Sequence, residues 1–394
     1  MDRASDPAAG SPSPLPWYAR PAARSWTCPP LPSDAWDFHT ALPGYAPTAL
    51  HELPALAAEL GVARVFVKDE STRLGLPAFK ALGASWAIHR VLARHERNGA
   101  PGRGAPPLRL VTATDGNHGR AVARVARQRG RRAHVFVPDG VHPAAVRAIE
   151  AEGAEVTAVP GSYDAAVDAA ARAAEAPDAV LIQDMAWEGY EEIPALIVEG
   201  YATLFTELDA QLAASGVRMP SLVAVPVGVG SLAQAAVTHY RSRFPAAADR
   251  RSAPPALLSV EPEGAACVLS SLRAGRLSSV PTGVTAMAGL NCGSPSALAW
   301  PPLRDGLDAA VAVTDADSAA AVRDLAALGV SSGPCGAAPL AGVRAALTGE
   351  GGVERGAALA IGPASAVVLI STEGAAANPY AHGTSAATRD IGPS

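Results

Sequence analysis

Short runs of aliphatic and β-branched residues alternate along this chain with longer segments whose apolar positions recur every three or four residues. That alternation predicts strands and amphipathic helices in turn. "ARVFVKDE" is a strand followed by the helix "FKALGASWAIHRVLARH". "LRLVTAT" leads to "NHGRAVARVARQRG", whose closing glycine marks a helix end. "AHVFVP" precedes "HPAAVRAIEAEG", "AEVTAVP" precedes "SYDAAVDAAARAAEA", and "AVLIQD" follows. "SLVAVPVG" leads to "SLAQAAVTHYRSRF", and "ALLSVEP", "DAAVAVT" and "AVVLIST" add three more strands. Strands apolar on both faces and separated by helices predict βαβ units around parallel sheet. The Pro-, Ala- and Ser-rich residues 1–35 read as an irregular lead-in and residues 376–394 as a loose tail.

In open α/β sheets, ligands collect beyond the carboxyl ends of the strands. The polar clusters of this chain fall there repeatedly: "KDES", "TDGNHG", "QDMAWEGYEE", "PVGVGS", "SVEPEG" and "STEG" each follow a strand. Composition narrows the picture without changing it. At 49% hydrophobic and 18% charged, a 394-residue chain can bury two ordinary cores or one large one. A net charge of −5 does not suggest nucleic acid or anionic membrane as a partner. The apolar runs are short and broken by Gly and Pro, so none predicts a membrane span. No apolar signal core opens the chain, and cytoplasmic location with reduced thiols is expected. Cys28, Cys267, Cys292 and Cys335 form no metal-ligand spacing, so no metal site is expected.

Three constellations carry candidate chemistry. The loop Gly228–Val229–Gly230–Ser231 joins a strand to a helix, where glycines let backbone amides approach an anion. A tight turn is the plainer account of it, and a full G-x-G-x-x-G pattern for a nicotinamide dinucleotide is absent. In "TDGNHG", Asp115 or Asn117 capping the following helix is locally the simpler reading. The sharper one is a substrate turn that presents a carboxylate. Arginine far outnumbers lysine, so Lys68 and Lys80 stand out. Lys68 sits beside Asp69 and Glu70 and reads as paired. Lys80 lies among Ala78, Phe79, Ala81 and Leu82, where burial would lower its pKa toward that of a Schiff-base nucleophile.

Taken together and in order, "KDES…AFKALGA", "TDGNHG", "GVGS" and "STEG" resemble the tryptophan-synthase-β-like class of pyridoxal-phosphate enzymes. Within that class, "PGYAPTAL", "FVKDESTRLGLPAFK", "TATDGNHGR", "QDMAWEGYEEIP", "EGYATL", "MAGLNCGSPS" and "LISTEG" look most like the diaminopropionate ammonia-lyase family, from about Phe38 to Gly374. Asp115 stands where serine and threonine dehydratases of the class typically carry serine. One segment departs from the family's pattern: "SSGPCGAAPL" replaces an expected "SGESGA", with Pro334 for an acid and Cys335 for a serine. Cys335 reads first as a small buried hydrophobe. Cys267 and Cys292 fit positions where the family can carry cysteines, without implying a disulfide.

The resemblance implies two three-layer α/β domains with the active site in the cleft between them. Residues 36–83 and 196–375 would form the large domain and residues 84–195 the small one. It further implies a homodimer acting on a small amino acid. Lys80 would hold pyridoxal 5'-phosphate, Phe79 would pack near its ring, and Asn117 would bond its phenolic oxygen or the substrate. Gly228, Val229, Gly230 and Ser231 would cradle the phosphate, and Ser371 or Thr372 would meet the ring nitrogen. Thr114, Asp115, Gly116 and His118 would surround the substrate, with Asp115 and Asp184 as acid–base carboxylates beside Lys80. The implied reaction is α,β-elimination of ammonia from 2,3-diaminopropionate, giving pyruvate and ammonia. The departing segment favours an alternative, a related dehydratase or β-replacement enzyme, against which Asp115 argues. The intact Lys80 and glycine loop speak against a non-catalytic binding protein, and the missing fingerprint speaks against an oxidoreductase.

Overall fold

The computed structural model describes residues 15–32, 34–97, 107–242 and 253–377. The tail expected at residues 376–394 lies almost entirely outside them. Among the described residues, eleven strands form two sheets. They are β1 (Trp17–Ala19), β2 (Leu50–Glu52), β3 (Arg64–Asp69), β4 (Arg109–Ala113), β5 (Ala133–Pro138) and β6 (Glu155–Val159), then β7 (Ala179–Leu181), β8 (Leu222–Pro226), β9 (Ala256–Pro262), β10 (Ala309–Val313) and β11 (Ala366–Ser371). The larger sheet runs β1-β10-β9-β8-β11-β3-β2, and the smaller runs β6-β5-β4-β7. Every pairing in the smaller sheet is parallel. In the larger one only the edge strands β1 and β2 are antiparallel. The expected parallel α/β architecture is therefore present. Trp17–Ala19, inside the stretch read as irregular, adds an edge strand along β10.

Alternation within each central strand feeds two cores. In β11, Val368 and Ile370 face one hydrophobic cluster while Val367 and Leu369 face the other. Helices therefore cover both faces of the larger sheet, and two further clusters flank the smaller one. The longest helix, Glu192–Ala214, packs across Lys80–Arg97, the helix that carries Lys80. Their contact is close because it is made at glycines. A Cβ on Gly83 would lie 2.6 Å from the Tyr201 ring, and one on Gly200 would lie 2.7 Å from the Leu82 carbonyl. That crossing seats Tyr201 beside Phe79, with ring centroids 4.7 Å apart.

The carboxyl ends of β3, β8 and β11 in one sheet, and of β4 and β7 in the other, turn toward a shared cleft. Register aligns these ends: Ser371 pairs with Asp69, and Leu369 pairs with Ala224. No helix among the described residues is long and apolar enough to cross a membrane.

Candidate active site

The cleft holds a cavity of about 460 Å³. Phe79, Lys80, Asp184, Thr372, the Thr114–His118 turn and the Gly228–Ser231 loop all border it. Sequence positions far apart thus converge, as the strand-end clusters led one to expect. Ser371 is the exception: it is fully buried, its hydroxyl lies 2.9 Å from that of Ser332, and it does not border the cavity. Of the two hydroxyls offered at that strand end, only that of Thr372 belongs to the cavity wall.

Lys80 is placed by the loop leaving β3. Phe79 N–H donates to the Thr372 carbonyl at 3.1 Å, and Ala78 forms an antiparallel bridge with Glu373. The Lys80 ammonium is hydrogen-bonded to the Asp184 carboxylate across the cleft. This corrects the expectation of a lowered lysine pKa. Burial does push the Lys80 amine down, but the Asp184 charge outweighs it and holds the amine above its usual value. Burial likewise pushes Asp184 up, yet Lys80 and His118 pull it to about 2. Lys68 is indeed paired and structural, though not to its chain neighbours. It donates to Glu207 at 2.8 Å, to the Thr48 carbonyl and to Gln211, while Glu70 instead pairs with Arg73.

The segment around Asp184 is braced by its own aromatic residues. Tyr190 stacks on Trp187 at 4.5 Å, accepts from Gln183 N–H and donates to the Leu181 carbonyl. Gln183 in turn accepts from Ala113 N–H and donates to the Tyr163 hydroxyl. The "WEGY" stretch thereby ties the end of β7 to the end of β4. Ser231 Oγ donates to the Asp184 carbonyl at 2.6 Å, which links the glycine loop to the same point.

The turn after β4 does not behave as a helix cap. The helix Asn117–Gln128 begins at Gly116, and no side chain caps it. Asp115 instead borders the cavity, and its carboxyl is pushed up to about 7 by burial and by the nearby Asp184 charge, against the pull of Lys80. Thr114 Oγ1 accepts from Gly116 N–H at 2.9 Å and holds the turn tight. His118 donates through Nε2 to the Ile182 carbonyl at 2.8 Å, which leaves Nδ1 as the ring's lone pair, 3.9 Å from Asp184. Burial lowers the pKa of this imidazole.

Sequence reasoning passed over Glu373, although it stands within the quoted "STEG". Its carboxyl accepts from Asn117 Nδ2 at 2.6 Å, and burial raises its pKa. Tyr163, the first residue of the helix Tyr163–Ala173, also borders the cavity. Cys335 is buried, as its plainer reading expects, and it too borders the cavity. Burial pushes its thiol well above the usual range. All four cysteines are free.

At the Gly228–Ser231 loop, Gly230 adopts a φ of +100°, and the helix Ser231–Arg241 starts without a side-chain cap. Its first amides are left for another acceptor, the arrangement that receives phosphate. A Cβ on Gly228 would stand 3.0 Å from Cys292 Sγ and 3.1 Å from the Gly289 carbonyl, so only glycine lets the loop lie this close. An anion-receiving loop and a lysine amine on the wall of one cleft fit pyridoxal phosphate.

Fold and site together define a class of protein, and comparison with known proteins gives the same answer. The chain belongs to the pyridoxal-phosphate dependent enzyme family, matched over residues 41–372. It is 38% identical over 306 residues to a diaminopropionate ammonia-lyase of Salmonella typhimurium, covering 74% of each chain. It is 34% identical to the Escherichia coli diaminopropionate ammonia-lyase, covering 86% of this chain and 87% of that one. A crystal structure of the Escherichia coli enzyme with an aminoacrylate–PLP azomethine reaction intermediate superposes with a TM-score of 0.76 at 33% identity, over 93% and 92% of the two chains.

Proposed function

We propose that this protein is a pyridoxal-phosphate dependent ammonia-lyase that eliminates ammonia from 2,3-diaminopropionate, the resulting aminoacrylate being hydrolysed by water to pyruvate and a second ammonia. The observation that carries the reading is Asp115: a carboxyl with a pKa of about 7, on the cavity wall near the Lys80–Asp184 pair. The diaminopropionate ammonia-lyases of Salmonella and Escherichia coli support it at 38% and 34% identity.

Lys80 would hold the cofactor through its amine, Gly228–Ser231 its phosphate and Thr372 its ring nitrogen, with Phe79 against the ring and Asn117 at the phenolic oxygen. Bound there, the cofactor supplies an electron sink for the charge left on the α-carbon when its proton departs. The remaining work falls to side chains. Asp184 stays ionised through the neutral range, favours the charged form of a free Lys80 amine, and adds negative potential that attracts a substrate bearing two amines. Asp115, half-titrated near pH 7, can accept an α-proton or return one to the leaving β-amine. Thr114, Gly116 and His118 line the turn where a substrate carboxylate would rest. Lys80, set free as a neutral amine once substrate takes its place, would serve one enantiomer as base and Asp115 the other.

A second reading, a dehydratase or β-replacement enzyme for another amino acid, draws on Cys335 and Pro334 in the departing segment, both buried and the first on the cavity wall. Pyruvate release from D- and L-diaminopropionate, serine and threonine by the purified holoenzyme separates the two. Preference for either diaminopropionate enantiomer supports the lyase, and turnover confined to the hydroxy amino acids overturns it. We further propose a large domain of residues 36–83 and 196–375 around the seven-stranded sheet and a small one of residues 84–195 around the four-stranded sheet. The chain would act as a cytoplasmic homodimer, as enzymes of this class usually do, and light scattering on the eluting protein tests that assembly.

A further inference from the structure

Glu373 has no part in the roles above, yet its position is built with care. It follows β11, is 3% exposed and borders the cavity. Oε2 accepts from Asn117 Nδ2 at 2.6 Å, and Oε1 accepts from Cys335 N–H at 3.2 Å. The two donors come from opposite sides of the cleft. Asn117 begins the helix that follows β4 of the smaller sheet. Cys335 lies in the first turn of the helix Pro334–Leu347, which packs on the larger sheet and has no side-chain cap of its own. A carboxylate is favoured at such a helix start. Gly333 makes room for it: a Cβ there would stand 2.7 Å from Glu373 Oε1. Pro334, where an acid was expected, fixes the first turn and carries no group that competes for its amides. The acid reaching this helix start is Glu373, supplied from the far side of the chain.

We infer that Glu373 is a positioning residue for Asn117, fixing its amide across the cleft so that one N–H of Nδ2 is held while the other is presented to the cavity. A side-chain amide carries two N–H donors on one end and an acceptor on the other, and its terminal torsion has two broad, roughly equivalent wells. Left alone, Asn117 could turn either end toward the cavity. Both Glu373 oxygens act as acceptors, Oε1 from Cys335 N–H and Oε2 from Asn117 Nδ2, so Glu373 selects the nitrogen at their contact. The second N–H of that nitrogen is then free to meet an oxygen of a bound group. The inference rests on reading the cavity as the pyridoxal-phosphate site, where the oxygen in question is the cofactor's phenolic one.

The test compares wild-type holoenzyme with Glu373→Gln, Asn117→Ala and the double variant, by cofactor dissociation constant and by the absorption band of bound cofactor. Apoprotein melting serves as a control for folding. Glutamine keeps the length of glutamate but must set its own N–H₂ against Asn117 Nδ2 or against Cys335 N–H; the first loses the Asn117 contact and the second leaves it a neutral acceptor, so either way the hold on Asn117 weakens. Each single variant should keep its fold, shift the absorption band and weaken cofactor binding about tenfold. The double variant should bind within twofold of either single one, because both remove the same contact. Effects that multiply to about a hundredfold overturn the inference, as do a wild-type band and affinity in Glu373→Gln. If Glu373→Gln does not fold, Glu373→Asp withdraws the carboxyl from Asn117 while keeping the charge, and an unshifted band there overturns the inference equally. A wild-type protein that takes up no cofactor overturns the cavity reading and this inference with it. A normal wild type with unaltered variants overturns this inference alone.

Discussion

Lys80 and Asp184 form an ion pair that joins the two sheets, the lysine following β3 of one and the aspartate following β7 of the other. Each fixes the charge of its partner. Asp184→Asn should leave the Lys80 amine with burial unopposed and lower its pKa. Breaking one partner of a largely buried pair costs about 3 kcal/mol, measurable by denaturant unfolding of the apoprotein at pH 7. The folded pKa of Asp184, about 2, lies below the usual carboxylate value. Its contribution is thus present above the unfolded pKa and lost as pH falls through about 2. The stability gap between wild type and variant should therefore narrow on acidification toward pH 2. A gap independent of pH from 7 to 2 would show that the charge of Asp184 is not what stabilises the fold.

The chain contains two lysines, Lys68 and Lys80. Borohydride reduction of the holoenzyme should fix the cofactor to the peptide carrying Lys80 and leave that carrying Lys68 unlabelled. Lys68 is fully buried against Glu207, so Lys68→Met should cost about 3 kcal/mol of stability while the label stays on Lys80. Label on Lys68 would refute the assignment.

Gly230 combines a φ of +100° with a wall at its back, for a Cβ there would meet Leu303 Cδ1 at 2.7 Å. Gly230→Val should push the loop toward the cavity and disturb the amides at the start of the helix Ser231–Arg241. Cofactor affinity is expected to fall at least tenfold, read by titrating apoprotein with pyridoxal phosphate. A folded variant with normal cofactor content would remove the loop from the binding site.

Why some of this was legible in sequence and some was not follows from the separation of partners. Strands such as β8 and β11 are apolar on both faces and bounded by turn residues, so their period and length announce them. The edge strand Trp17–Ala19 has three residues in a Pro-rich stretch and owes its form to β10, far along the chain. The helix Glu192–Ala214 is buried around much of its circumference, which blurs the amphipathic period. At the site, Lys80, Asp115 and the glycine loop were visible because each sits in a local setting unusual for its residue type. The direction of the Lys80 pKa was misread because its partner is 104 residues away. Glu373 was overlooked because its contact with Asn117 spans 256 residues, and no local pattern encodes that.

Asp115 separates this protein from the serine-bearing dehydratases of its class, and its titration gives the sharpest test. Burial and the Asp184 charge raise its folded pKa to about 7, above the usual carboxylate value. Ionised Asp115 is therefore held at a cost that is absent below the unfolded pKa and grows as pH rises toward 7. Asp115→Asn keeps the shape and removes that cost, so the variant apoprotein should gain stability over wild type at pH 8 and show no gain near pH 3. Activity should move the other way. A base with a pKa of about 7 gives kcat/KM an acidic limb at that pH, and the limb should vanish in the variant. Turnover of D-diaminopropionate should fall by roughly two to four orders of magnitude, the scale of a general acid–base group. The L-enantiomer should suffer less if Lys80, freed as a neutral amine, is its base. Stability that rises as expected with both enantiomers still turned over normally would make Asp115 a strained bystander, and the case for a lyase over a dehydratase would lose its strongest residue.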